Sequence, residues 1–417
     1  MSAQKHTVVI IGGGTAGISV AAGLRRQQAN LDIAIVDPAE NHFYQPAWTL
    51  AGGGAYDIAN TKRPLSSVLP AGTAHIAKAV KGFDPENNQI ELTDGERVGY
   101  DFLVVAAGIQ LNWGAIKGLP EALGKNGVTS NYRFDLAPYT WELVQNFKGG
   151  NAVFTQPAGA IKCAGAPQKA MYLSADHWRN NGVKAQSIQF RNGGAVLFSV
   201  PFYARALSRI VESYGARARL ENALVEVRGD EKIAVFESTQ NGEKVREEVA
   251  YDLLHVVPPQ SAPDFIRQSA LANAEGWVNV DQNTLRHVRY GNVFSLGDCS
   301  SLPTSKTAAA VKAQAPILVS NLLSALQGAK ASARYSGYTA CPVTTSRGRV
   351  MLAEFTYAGT VATTLPVDSR IPRRFYWWLK RSFLPWFYWN VLLKGRFVPE
   401  LARERHFPEA LPSPIGA

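Results

Sequence analysis

Two of the three cysteines in this chain stand in turns where a thiol could do redox work. KCAGAPQK (162–169) puts Cys163 at the mouth of an apolar helix and beside Lys162. A helix N-terminus and a neighbouring cation both favour the thiolate, which is the reactive form. SGYTACPVTTSRGRVMLAEF (336–355) puts Cys341 between Tyr338 and Pro342, in a turn before an apolar strand. The third, Cys299, closes GNVFSLGDC (291–299), where a free thiol behaves as a small buried hydrophobe. No cysteine falls in a CxxC, CxxCH or zinc-type spacing, so a structural disulfide framework is excluded and no metal site is expected. Inside a reducing compartment, a disulfide that does form is usually catalytic. His177, His255 and His287 read as ordinary surface or core histidines.

The elements that must position these thiols begin with TVVIIGGGTAG (7–17), followed by ISVAAGLRRQQ and LDIAIVD, which ends at Asp37. This is strand, Gly-rich turn, helix and strand, with Gly12, Gly14 and Gly17 in the GxGxxG spacing around Thr15 and Ala16. The first glycine permits the tight turn, the second admits a pyrophosphate to the backbone, and the third allows close helix-to-strand packing. Free N–H groups at the helix start complement the phosphates, and Asp37, about 20 residues after the last glycine, is placed for ribose hydroxyls. Further on, AHIAKAV (74–80), QIELT (89–93), an Asp94-Gly95 hairpin turn and YDFLVVAAG (100–108) read as strands. Residues 291–299 end another strand at Gly297-Asp298, ahead of the helix SKTAAAVKAQAPILVSNLLSAL.

A second alternation of strands and helices runs from 151 to about 257: NAVFTQ, a helix near 167–179, QSIQF, a helix near 203–214, a strand near 223–227 and LLHVV. Its first turn reads TQPAGAIKCAGAP, with Pro157 where a phosphate loop needs an N–H donor, and no GxGxxG. A nicotinamide dinucleotide therefore has no cradle there, and electrons must enter by another route.

The chain carries a formal charge of +10 with pI near 9.4, which suits an anionic surface, either nucleic acid or anionic lipid. Much of that charge lies in RIPRRFYWWLKRSFLPWFYWNVLLKGRF (370–397), where seven Lys/Arg interleave with ten aromatic residues and no acid. Amphipathic rings and long cationic side chains suit the headgroup boundary of a bilayer. Pro385 is expected to split this stretch into two short interfacial helices. Nucleic-acid stacking and a subunit interface are the competing uses, and no nucleic-acid-binding fold accompanies the stretch. The strand that starts within seven residues of Met1 leaves no room for a leader peptide, so a peripheral, monotopic protein on the cytoplasmic face of the inner membrane is expected. No run of 18 uncharged apolar residues predicts a spanning helix.

The N-terminal GxGxxG, the strand ending in AxG and the distant GD before a helix together resemble the flavoprotein disulfide reductase superfamily, with its two dinucleotide-binding domains. That likeness implies FAD bound by Gly12, Gly14, Thr15, Ala16, Gly17, Asp37, Val80, Ala107, Gly108, Gly297 and Asp298. YQPAWTLAGGG (44–54), KCAGAPQKAMYLS (162–174), GDCSSLPTSKTAAAV (297–311) and GYTACP (337–342) resemble the sulfide:quinone oxidoreductase family, in particular its mitochondrial branch, over nearly the whole chain. The resemblance implies that Cys163 and Cys341 form the redox pair beside the flavin, and that Gln45, Lys306 and Thr307 touch FAD. A third catalytic cysteine of some branches is absent from GVTSNYRFDL (127–136), so FAD is expected to be non-covalent. Hydrogen sulfide, a membrane quinone, a sulfane-sulfur acceptor and the bilayer surface are the implied partners, and a homo-oligomer is possible.

The expected organisation is α/β, with a split FAD domain (1–145 and 260–330), a second Rossmann-like domain (146–259) and a C-terminal interfacial region (331–417). A type II NADH:quinone oxidoreductase would share the fold but requires the missing second fingerprint. The flavoprotein subunit of a flavocytochrome c sulfide dehydrogenase would also pair cysteines with FAD, as an exported protein.

Overall fold

In a computed structural model the chain is described over residues 4–411. Strand β1 (Gln4–Ile11) carries the apolar run Val8–Ile11, whose four residues are buried, as a strand covered on both faces requires. It feeds helix α1 (Thr15–Gln27) and then β2 (Ile33–Val36). Strands β3 (Ala74–Ile76), β4 (Val80–Asp84), β5 (Gln89–Leu92) and β6 (Arg97–Val105) follow. They form one seven-stranded sheet in the order β3-β2-β1-β6-β5-β4. The last half of β6 also pairs in parallel with a strand that arrives much later in the chain. The single run read at 74–80 is two strands, because Ile76–Lys78 makes a turn closed by the Lys78 N–H on the Ile76 carbonyl.

The second unit is built from β7 (Val128–Thr129), α2 (Leu136–Asn146), β8 (Asn151–Gln156), α3 (Ala166–Asn180), β9 (Ser187–Asn192), α4 (Pro201–Ser213) and β10 (Arg217–Arg219). An antiparallel meander β11 (Ala223–Arg228), β12 (Ile233–Gln240), β13 (Glu243–Ala250) precedes β14 (Leu253–His255). The parallel sheet order is β7-β14-β8-β9-β10. The chain is thus α/β, with two Rossmann-like sheets.

The chain then returns to the first sheet through β15 (Val293–Ser295), which pairs with the second half of β6 while β5 pairs with the first half. Helix α5 (Ala308–Leu326) is capped by Thr307, whose side chain accepts the Ala310 N–H. With a mean hydropathy of 1.3, α5 is long and apolar enough to cross a membrane, which the sequence reading did not foresee. Half of it is buried, and Val311, Ala315, Leu318 and Val319 share one core with Ala21 and Leu24 of α1, so it serves here as a core helix.

A hairpin of β16 (Thr339–Ser346) and β17 (Arg349–Phe355) packs β16 on α3. The C-terminal segment forms α6 (Arg374–Trp378) and α7 (Leu384–Asn390). Pro385 does not separate them as expected: it lies in the first turn of α7, where its missing N–H costs least. A wide π turn at Leu379–Phe383 joins the two helices without a break.

Candidate active site

The two turn cysteines meet. Cys163 Sγ lies 3.5 Å from Cys341 Sγ, and both are thiols in this structure. A bond of about 2.05 Å would need only a small approach of the two sulfurs. Cys163 occupies the turn before α3 in a left-handed backbone conformation (φ 52°), unusual for a residue with a Cβ. Three contacts hold that turn. The Cys163 N–H donates to the Lys306 carbonyl at 2.9 Å. The Lys162 N–H donates to Gln260 Oε1 at 2.7 Å, and the Tyr132 hydroxyl donates to the Lys162 carbonyl at 2.7 Å. Gly165 lets the hairpin close in, since a Cβ there would lie 2.8 Å from Cys341 Sγ.

The charges around the pair make the sulfurs unequal. Lys169, one turn into α3 and buried, places Nζ 3.2 Å from Cys163 Sγ. The hydrogen bond from Cys341, then the charges of Lys169 and Lys380, outweigh burial and pull Cys163 well below the ordinary thiol range. The Cys163 sulfur and burial push Cys341 well above it. Burial opposes the charge on Lys169, but the two sulfurs hold its pKa above the usual lysine value. Lys380 comes from the π turn, is also buried, and donates to the Pro342 carbonyl at 2.9 Å. Burial and the Lys169 charge drive it well below the normal lysine range. The surrounding charges thus favour the thiolate at Cys163, beside Lys169, over the thiolate at Cys341.

Lys169 and Lys380 were not singled out from the sequence. Their signal was available: Lys169 is a lone cation in the apolar run AGAPQKAMYL, and Lys380 belonged to a group read entirely as lipid-facing. Lys162, expected to support Cys163, instead pairs its ammonium with Asp298 Oδ2 at 3.2 Å. Lys306 points its ammonium at the Asp298 carbonyl (2.6 Å) and over the Trp277 ring (3.7 Å), and its buried amine lies below the usual lysine range. Thr307 Oγ1 pairs with Thr339 Oγ1 at 2.8 Å besides capping α5. Cys299 is fully buried against Val105 and Ser295, and burial raises its pKa, as suits an inert thiol. The histidines are structural. His255 is stacked on Phe154, accepts the Asn131 N–H at 2.9 Å, and is lowered by burial to about 4.

The residues expected to hold a dinucleotide follow the C-terminal ends of β1, β6 and β15. Gly12 adopts φ 104°, and a Cβ there would meet the Ala106 carbonyl at 2.5 Å. At Gly14 and Gly108, by contrast, a Cβ would meet nothing within 4 Å, which is the open space a pyrophosphate and a ring system require. Helix α1 has no side-chain cap, so the N–H groups of its first turn are free for phosphate oxygens. Asp37 accepts from the Gly13 N–H at 2.5 Å and the Ala39 N–H at 2.7 Å. Gly297, directly before Asp298, lies beside Ala16, Val80 is buried at the start of β4, and Gln45 opens a short 3-10 turn. These residues fit a dinucleotide. In the second unit the equivalent position holds the Cys163 turn, packed against Cys341, and Pro157 directly follows β8.

Residues 6–144 match the family model described as pyridine nucleotide-disulphide oxidoreductase. The chain is 44% identical, over 94% of its length and 86% of the relative's, to the mitochondrial sulfide:quinone oxidoreductase of Dictyostelium discoideum. It is 41% identical to the mouse protein of that name, covering 94% of this chain and 88% of the relative. Its fold superposes on the sulfide:quinone oxidoreductase structure from Aquifex aeolicus with a TM-score of 0.77 at 18% identity, covering 95% of this chain and 93% of that one.

Proposed function

Because this chain belongs to the sulfide:quinone oxidoreductase family, a family of flavin-dependent oxidoreductases, we propose that it oxidises hydrogen sulfide at Cys163 and Cys341, with FAD held non-covalently in the α1 cleft. The contact between the two sulfurs, with Lys169 on one of them, carries this reading. In the oxidised pair, hydrosulfide forms a new S–S bond to Cys341 Sγ, and the Cys163–Cys341 bond breaks. Its electron pair leaves on Cys163, and Cys341 becomes a persulfide.

The direction follows from leaving-group acidity, since the sulfur with the lower pKa departs faster. Lys169 stabilises the departing thiolate through its ammonium. Cys341 is only 1% exposed, so its attacker must be small, and hydrosulfide meets that condition where a thiol-bearing peptide does not. The persulfide on Cys341 would yield its outer sulfur to a nucleophilic acceptor, leaving both cysteines reduced. FAD, when bound, would supply the two-electron acceptor that lets the two sulfurs pair again, with a quinone as the final oxidant.

The C-terminal helices complete the proposal. Phe375, Trp378 and Trp386 are each more than half exposed, and Phe375, Trp378, Phe383 and Trp386 stack in sequence with centroids 5.8–6.0 Å apart. Arg374, Lys394 and Arg396 are also exposed in this segment. This stripe of rings with cations suits the headgroup layer and seats the protein on the surface of a quinone-bearing membrane, with the cytoplasmic side as the proposed face. Sulfide titration of the purified protein under anaerobic conditions tests the assignment. Flavin absorbance should bleach with sulfide and recover on adding a short-chain quinone, and bleaching by NADH but not by sulfide would overturn it.

A further inference from the structure

Helix α7 has two faces with different surroundings. Trp386 is 55% exposed, whereas Tyr388 and Trp389 on the other side are buried with Ile18, Tyr44 and Leu392. The buried face lies directly on the Gly12–Gly17 turn. Tyr388 Oη is 2.8 Å from Thr15 Oγ1 and 2.6 Å from His42 Nε2, and His42 Nδ1 is 2.9 Å from the Gly13 carbonyl.

Donor and acceptor roles in this chain follow from its ends. A carbonyl only accepts, so His42 Nδ1 carries a proton and donates to Gly13. Burial, the largest influence on His42, lowers its pKa and favours the neutral ring, in which Nε2 accepts. Tyr388 therefore donates to His42, and its oxygen receives the Thr15 hydroxyl.

The surroundings immobilise both partners. The Tyr44 ring lies 4.6 Å from that of Tyr388, Trp389 meets the His42 ring edge-on at 5.7 Å, and the Arg63 guanidinium lies 4.0 Å above Trp389. Beyond α7, Gly395 turns with φ 62° against the backbone of Ala22 and Gly23, and Phe397 packs on Gly23. The C-terminal segment thus clasps α1 from its first turn to its middle. Sequence separation hides the contact, since Thr15 and Tyr388 are 373 residues apart.

We propose that Tyr388 is a cofactor-positioning residue, holding the pyrophosphate turn through Thr15 and His42 and joining the lipid-facing segment to the cofactor site as one unit. The proposal rests on the flavin reading above and adds to it a residue outside the dinucleotide fingerprint. With Tyr388 in place, Thr15 and Gly13 are fixed before the dinucleotide arrives, so less ordering remains to be done on binding.

The test is flavin release from the purified full-length holoprotein, followed as the rise of free-flavin fluorescence after dilution. Tyr388→Phe keeps the ring and removes the hydroxyl, and release should be about tenfold faster for the loss of two hydrogen bonds. Tyr376→Phe, a buried tyrosine of α6 whose ring lies away from the turn, is the matched control and should release flavin at the wild-type rate. The apoprotein of Tyr388→Phe should lose some thermal midpoint, since both hydrogen bonds form without the dinucleotide, and the holoprotein should lose more. Equal release from all three proteins would overturn the proposal. So would equal acceleration in both variants, or an apoprotein midpoint that falls as far as the holoprotein's, because each would mark a general packing defect. A wild-type protein that purifies without flavin and takes none up would instead contradict the flavin reading itself.

Discussion

Lys169 Nζ stands 3.2 Å from Cys163 Sγ, while Lys380, equally buried, gives its nearest hydrogen bond to the Pro342 carbonyl. Two lysines thus flank one dithiol with different duties. The two sulfurs facing Lys169 hold its pKa above the usual lysine value. Lys380 has its pKa driven down by burial and by Lys169, so it supplies a hydrogen bond with less charge.

This difference predicts unequal mutants. Cys163 has a depressed pKa in the folded protein, so its thiolate is present above that value and is lost as pH falls through it. Lys169→Met removes the ammonium in contact with the sulfur and should move the alkylation profile of Cys163 to higher pH. At neutral pH the alkylation rate should fall by about tenfold, the loss of one charge-assisted hydrogen bond. Lys380→Met should move the same profile less. Iodoacetamide kinetics on the reduced protein across pH check both, and a larger shift in Lys380→Met would reverse the assignment.

Tyr132 donates to the Lys162 carbonyl at 2.7 Å and thereby helps to hold the left-handed Cys163. Tyr132→Phe removes that donor alone. The Cys163–Cys341 disulfide should then be easier to reduce, its equilibrium with glutathione shifting toward the dithiol by about fivefold for one hydrogen bond of about 1 kcal/mol. Equilibration in glutathione buffers with quantification of free thiols reads the shift. An unchanged equilibrium would remove Tyr132 from the positioning set.

The exposed ring stripe makes a third prediction. Phe375→Ser or Trp378→Ser should each weaken binding to anionic liposomes by about tenfold, in line with the apolar area taken from the headgroup layer. Both variants should keep wild-type folding temperatures, since Phe375 and Trp378 are 52% and 51% exposed. Flotation assays at fixed lipid concentration measure it, and undiminished binding would move the lipid contact elsewhere.

The local features of this protein are legible in its sequence because they depend on neighbours. The first strand, the glycine turn and α1 follow from apolar runs and backbone demands within about 20 residues. The lack of a second phosphate loop is visible in Pro157 and in the missing second GxGxxG. The pairing of the two cysteines is not legible in that way. Residues 163 and 341 are 178 positions apart, and only their likeness to a family joined them before the fold did. Lys380 and Tyr388 lie in an aromatic and cationic stretch whose composition suits a lipid-facing side. Which residues turn inward depends on the π turn at Leu379–Phe383 and on what α1 and β16 present to it. Pro385 illustrates the same point: a proline signals a helix boundary, and the wide turn before it let the helix continue.

Anaerobic addition of sulfide to Cys163→Ser holoprotein, with flavin absorbance followed in time, separates electron entry through the cysteine pair from direct reduction of the flavin. Wild type should bleach, and Cys163→Ser, retaining its flavin, should not. Bleaching of the variant at the wild-type rate and extent would contradict entry through the pair.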